Sequence, residues 1–373
     1  MSTTVNAEQS MNLLRSLRSK LDDGHQRISI NHPLRFTKGE TRLSNFEIYV
    51  DHLLRDRVIA LIQSGGGWSA LMDRYAAFDP GLKDLSWPSH FPVHILSGDG
   101  QVTDGSNIFM FFPEVLGISG EKPSDYFGLE LIDAWECVFD QIITPCLQRI
   151  ADEKTILEYF TVFCSRRREI IYLASVCHEI GHRVGIWKVS PSRDDRLSLT
   201  KMQIDVMGEL STDTYLVEFS NKSFGLAEFV LYQRLFWFGR MLSDQDAVQG
   251  ALNSDNDAWI GAYLWQIAES IGCLKFNSID SKYSINHDLI ANVFDMVFED
   301  IRSLEARVLA AGPGDHSLVI QKWMEDRVPQ SKTGDFVYPK SMADVFFRCS
   351  DVATRIQLPL PLQASQVAKE FFL

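Results

Sequence analysis

Several common signatures are missing from this chain, and each absence excludes something. No run approaches the roughly 20 apolar residues that a membrane-spanning helix needs, so no membrane partner is expected. Residues 1–23 are polar and mixed in charge, without the apolar stretch of a secretory signal. Cysteine is sparse: Cys137, Cys146, Cys164, Cys177, Cys273 and Cys349 are scattered and never form a Cys-x-x-Cys pair. That spacing argues against a disulfide framework and for buried free thiols in a reducing compartment, which makes a cytoplasmic location the expectation. Basic residues are outnumbered 36 to 49, for a formal net charge of −13. A surface of that sign repels phosphate backbones, and nucleic acid is not expected as a partner. There is no Gly-x-Ser-x-Gly elbow, Walker loop or Gly-x-Gly-x-x-Gly turn, so the corresponding hydrolase, nucleotide and dinucleotide classes drop out.

What the chain does have is core material. Apolar residues make up 45% and aromatics 11% of its 373 positions, which suits one large domain or two closely packed ones. Helical spacing of apolar residues predicts helices over 8–22, 45–63 and 69–78. Between 79 and 120 the texture changes, with Pro80, Pro88, Pro92 and Pro113 around β-like runs at 93–96 and 108–112. A small sheet is expected there, together with the main internal boundary. It would divide an N-terminal helical region with a small β element, 1–120, from a helical metal-binding domain, 121–373. Helical texture dominates 124–312, and the tail, with Pro329, Pro339, Pro359 and Pro361, reads as an extended strap. The expected fold class is mainly α with a minor β element.

The chemistry concentrates in one segment. His178-Glu179-Ile180-Gly181-His182 ends an apolar helical run that begins at Ile170. Histidines four apart on a helix stack on one face, so both imidazoles can reach one Zn²⁺. Glu179 follows the first of them, where a carboxylate reaches a metal-bound water rather than the metal and can serve as general base. The plainer alternative is a pair of hydrogen-bonded histidines on an ordinary helix. A catalytic zinc site needs a third protein ligand. The helix expected over 202–219 offers Asp205, Glu209 and Asp213 on one face, on a helix too apolar to be a plain surface helix. One carboxylate could ligate while its neighbour a turn away accepts the free N–H of a ligating histidine.

His-Glu-x-x-His followed on a later helix by Glu209-Leu-Ser-Thr-Asp213 resembles the gluzincin branch of the zinc metallopeptidases. The stretch His178 to Gly185 is also similar to the motif region of dipeptidyl peptidase III, a family with one extra residue inside its motif. The resemblance covers residues 172–218. It implies a zincin-like helical metalloprotein with His178, His182 and Glu209 as zinc ligands, Asp213 behind a ligating histidine, and Glu179 as base. It further implies a Tyr or His donor to the oxyanion, for which Tyr263 and His287 are the candidates. An open-cleft endopeptidase would be a hazard in the cytoplasm, so a small-molecule or peptide substrate is expected. Two alternatives stay open. One is a zincin-fold biosynthetic enzyme or pseudo-enzyme without proteolytic activity. The other is an HD-type phosphohydrolase, in which the acidic residue at 179 would itself bind metal and an upstream histidine, His90 or His94, would join it.

Overall fold

Residues 27–35 and 41–50 alternate rather than wind. The structure, a computed structural model, describes residues 6–35, 41–64, 67–80, 82, 89–98, 102, 108–120, 125–188, 199–220, 225–240, 251–312 and 314–358. After α1 (Ala7–Asp22), which buries Leu14, Leu17 and Leu21, come two antiparallel strands, β1 (Arg27–Arg35) and β2 (Thr41–Val50). Ile28, Ile30 and Leu34 are buried on one side of β1, and Ile30 pairs with Phe46 of β2. The helix expected over 45–63 is therefore a strand as far as Val50, and α2 (His52–Ser64) begins only beyond it. Phe46 and Val50, four apart, also fit a helical stripe that runs on to Leu54 and Val58, but Ile48 between them fits only a period of two, and pairing to strands on both sides decides for the strand. Asp51 marks the change, its carboxylate accepting the Leu54 N–H at 2.8 Å at the head of α2.

The chain groups into two units. One comprises residues 1–64, 86–139 and 355–373 and holds a five-stranded sheet ordered β1-β2-β3-β5-β4. Its remaining strands are β3 (Ser89–Gly98), β4 (Phe109–Phe112) and β5 (Phe127–Leu131), followed directly by α4 (Ile132–Val138). Strand β3 runs parallel to β5 and antiparallel to β2, and it is buried along six consecutive positions, as a strand covered on both faces must be. His94 sits in its middle with Nδ1 2.8 Å from Asp133 Oδ1 and Nε2 3.4 Å from Asp51 Oδ2. Both of its ring nitrogens thus face carboxylates of its own unit. The sheet expected within 79–120 is present, enlarged by strands on either side in sequence. The tail strap expected around Pro359 and Pro361 lies outside the described residues.

The other unit, residues 65–85 and 140–354, is helical. It contains α3 (Gly67–Phe78), α5 (Thr144–Ile150), α6 (Glu153–Phe163), α7 (Arg167–Gly181), α8 (Lys201–Phe219) and α9 (Leu226–Tyr232), which continues into a π-helical turn (Gln233–Phe238). Then come α10 (Asn256–Ser270), a hairpin of β6 (Leu274–Asn277) and β7 (Lys282–Ile285), α11 (Ile290–Ala310), α12 (His316–Glu325) and α13 (Lys340–Arg348). The fold is mainly α with a minor β element. Among the described residues no helix is long and apolar enough to cross a membrane. Cys137, Cys146, Cys177, Cys273 and Cys349 are free and buried.

Helix α8 is the axis of this unit. A capping box starts it: Thr200 Oγ1 accepts the Gln203 N–H, and Gln203 Oε1 accepts the Thr200 N–H. From Val206 to Val217 it is buried at every position except Glu209, because α7, α9, α10 and α11 all pack against it. The contact with α7 is the closest. A Cβ on Gly181 would stand 3.0 Å from the Thr212 Cα and carbonyl oxygen and 2.8 Å from its Cγ2, so only glycine lets the two backbones meet there. Replacing Gly181 by Ala should force α7 and α8 apart and cost about 1–3 kcal/mol, the usual range for overpacking. Urea unfolding of the variant measures this, and an unchanged midpoint would contradict the packing described.

Candidate metal centre

The two motif histidines are placed by the last turn of α7. The helix ends at Gly181, one residue before His182, but His182 keeps right-handed geometry and its N–H still reaches the His178 carbonyl at 3.2 Å. The i, i+4 stacking therefore survives the helix end. The rings lie 4.7 Å apart, edge to face, with the two Nε2 atoms 3.1 Å from each other. Glu209, from the facing side of α8, brings Oε2 to 3.3 Å from His178 Nε2 and Oε1 to 3.6 Å from His182 Nε2. One ligand atom from each of these three residues falls within 4.8 Å of the other two. Among the described residues this is the one cluster of histidine, cysteine and carboxylate groups that close together.

Each histidine is held from behind. His178 Nδ1 lies 2.9 Å from Asp213 Oδ1, and an ionised carboxylate can only accept, so Nδ1 donates there and Nε2 is the ring atom turned to the cluster. His182 Nδ1 lies 3.2 Å from the Thr212 hydroxyl, the group brought close by the Gly181 contact. Asp213 in turn accepts from Arg234 Nε at 2.5 Å. The donor set of two imidazole nitrogens and one carboxylate oxygen, with ordered partners behind the nitrogens, suits a zinc ion. It also leaves room to bind substrate or water. His178, His182 and Glu209 keep 23, 19 and 30% of their side-chain surface exposed, whereas Asp213 and Arg234 keep 3 and 1%.

The acidic stripe of α8 grades from solvent into the core. Asp205 pairs with Lys201 at the surface, Glu209 meets the histidines, and Asp213 is fully buried. Glu179 is partly exposed beside the cluster without joining it, and its charge acts on His182. Tyr263 and His287 are drawn to other partners. The Tyr263 hydroxyl donates to Asp300 Oδ2 at 2.6 Å, a carboxylate that also takes Trp323 Nε1 and Arg327. His287 Nε2 faces the Tyr232 hydroxyl at 2.7 Å. Tyr263 is buried and His287 half-buried, and a polar group withdrawn from water takes the nearest partner. Thr212, Arg234 and Asp257 did not figure among the expected residues. Arg234 has a visible signal, a lone cation inside the apolar run Phe229 to Phe238.

Electrostatically the metal-free cluster is a trap for one positive charge. Burial works against charging His178, but its hydrogen bonds to Asp213 and Glu209 overcome that and lift its pKa well above the ordinary imidazole value. Burial and the neighbouring His178 hold His182 below that value. For Glu209, burial favours the neutral acid, yet the hydrogen bond to His178 and the charges of both histidines and Arg234 drive its pKa far below the usual carboxylate range. The metal-free chain thus keeps a proton on His178 where a ligand lone pair is required. A metal ion must displace it, so uptake should release protons and affinity should fall as pH drops. Calorimetric zinc titrations in buffers of differing ionisation enthalpy measure that release, and binding independent of both buffer and pH would contradict it.

No protein-family model matches the chain, and no curated protein matches it. Solved structures do. Dipeptidyl peptidase III from Caldithrix abyssi is similar with a TM-score of 0.60 and 12% identity, over 96% of this chain and 68% of that one. Dipeptidyl peptidase III from Corallococcus sp. strain EGB is similar with a TM-score of 0.58 and 12% identity, over 99% of this chain and 68% of that one. At that identity the likeness is one of architecture. The chain has a dipeptidyl peptidase III-like fold.

Proposed function

We propose that the protein is a zinc-dependent hydrolase of peptide or amide bonds, with His178, His182 and Glu209 as ligands and Glu179 as general base. The observation that carries this reading is the meeting of His178 Nε2, His182 Nε2 and the Glu209 carboxylate within 4.8 Å of one another. The fold shared with dipeptidyl peptidases III supports a peptide as the substrate class. A zinc ion held there would lower the pKa of a bound water towards about 7 and polarise a scissile carbonyl.

The chain's own residues divide the remaining tasks. Asp213 and Thr212 hold the Nδ1 sides of His178 and His182, keeping both Nε2 atoms directed at the cluster. Glu179 follows His178 by one residue, about 100° around the helix, and lies outside the converging three. Its carboxylate is left to take the proton of the attacking water and return it to the leaving amine. The same arrangement argues against the HD-type alternative, which requires the acidic residue at 179 to be a ligand.

Glu179→Gln separates these roles. The variant keeps shape and hydrogen bonding but cannot accept a proton. It should retain zinc while hydrolysis of peptide or arylamide substrates falls by about 10²–10⁴-fold. Loss of zinc would put Glu179 on the metal and favour the HD-type chemistry. Retained zinc with undiminished hydrolysis would remove Glu179 as the base.

A further inference from the structure

Arg234 is 1% exposed, and its guanidinium is shared among three carboxylates. Nε donates to Asp213 Oδ2 at 2.5 Å, Nη2 reaches Glu209 Oε2 at 3.4 Å, and Nη1 donates to Asp257 Oδ1. Two of these three belong to the cluster: Glu209 itself, and the Asp213 that holds His178. We infer that Arg234 is the positioning residue of the metal centre, fixing Glu209 and the Asp213–His178 pair in the convergent arrangement. The inference rests on the zinc reading above and deepens it.

The mounting of Arg234 supports this role. It sits in the π-helical turn Gln233–Phe238, an irregularity that recurs at functional sites. The Phe238 ring lies under its guanidinium, 5.0 Å from centroid to Cζ. Helix α10 presses on the same turn, where a Cβ on Gly261 would stand 2.8 Å from the Arg234 carbonyl oxygen. One turn earlier on α10, Asp257 supplies the third carboxylate. Only a planar fork with donors in fixed directions serves three separate acceptors together; a lysine has the charge without the geometry.

Charge alone makes the opposite case. A buried cation next to a dication site repels the metal, so if charge dominated, Arg234 would weaken binding. Position is what could make it strengthen binding, and charge-conserving variants isolate that. In Arg234→Lys the cation stays and the fork is lost. In Gly261→Ala no charge changes, but the turn carrying Arg234 must shift. Zinc affinity of the full chain is read by competition with a chromogenic chelator, and coordination by the visible spectrum of the cobalt-substituted protein. Arg234→Lys should bind zinc about 10–100-fold more weakly with an altered cobalt spectrum, and Gly261→Ala should shift both in the same direction. A purely structural arginine would lower thermal stability and leave affinity and spectrum alone. Wild-type affinity and spectrum in both variants, or tighter binding in either, would overturn the inference while leaving the zinc reading intact. A wild-type chain that takes up no metal would overturn both.

Discussion

Two imidazole nitrogens and a carboxylate that face one another at 3.1 to 3.6 Å need a positive charge among them. With Nδ1 of His178 donated to Asp213, the atoms turned inward are lone pairs and negative oxygens, and they repel unless something positive lies among them. In the metal-free chain that charge is the proton on His178. A divalent ion would satisfy the same three acceptors and relieve the histidine of its extra proton. The packing of the helical unit is organised around keeping these groups together. Gly181 brings α7 onto α8, and α9, α10 and α11 pack against α8 as well.

Around this centre the charges are layered. Along one face of α8, a turn apart, Asp205 is neutralised at the surface by Lys201, Glu209 by the histidines, and Asp213 in the core by His178 and Arg234. A carboxylate as deep as Asp213 is tolerable only with such partners, because a buried pair that loses one member costs about 3–5 kcal/mol. In the proposed reading the same layering would separate functions, with the exposed rim open to substrate and water and the buried tier holding geometry. Asp257 is pushed up to about 6 by burial, against the opposing pull of Arg234 and with the added repulsion of Glu209 and Asp255. Of the three carboxylates around the guanidinium it is the one closest to losing its charge near neutral pH.

The histidine pair was legible in the sequence because it is local, and the resemblance to gluzincins singled out Glu209 and Asp213 from the acidic face of the later helix. His178 and His182 are bound by helical spacing, and Glu209 and Asp213 by the same spacing on a helix whose apolar residues left few positions for solvent. The strand at residues 45–50 was missed, since Phe46 and Val50 also open a helical stripe that runs on to Leu54 and Val58, and the neighbouring strands choose between the two periods. Tyr263 and His287 fell in a plausible sequence window, but direction depends on tertiary neighbours, and Asp300 and Tyr232 take them. Arg234 and Asp257 escaped for the complementary reason. Their partners lie 21 and 23 residues away from Arg234 on other helices, and no local period links them.

The central claim is that this chain binds one zinc ion through His178, His182 and Glu209, and metal content tests it most directly. Elemental analysis of the purified protein beside Glu209→Gln, with circular dichroism to verify that the variant folds, is the decisive comparison. The account predicts about one zinc per wild-type chain, the stoichiometry of a three-ligand catalytic site, and far less in the folded variant. Equal zinc in the two proteins, or none in the wild type after exposure to the ion, would contradict it.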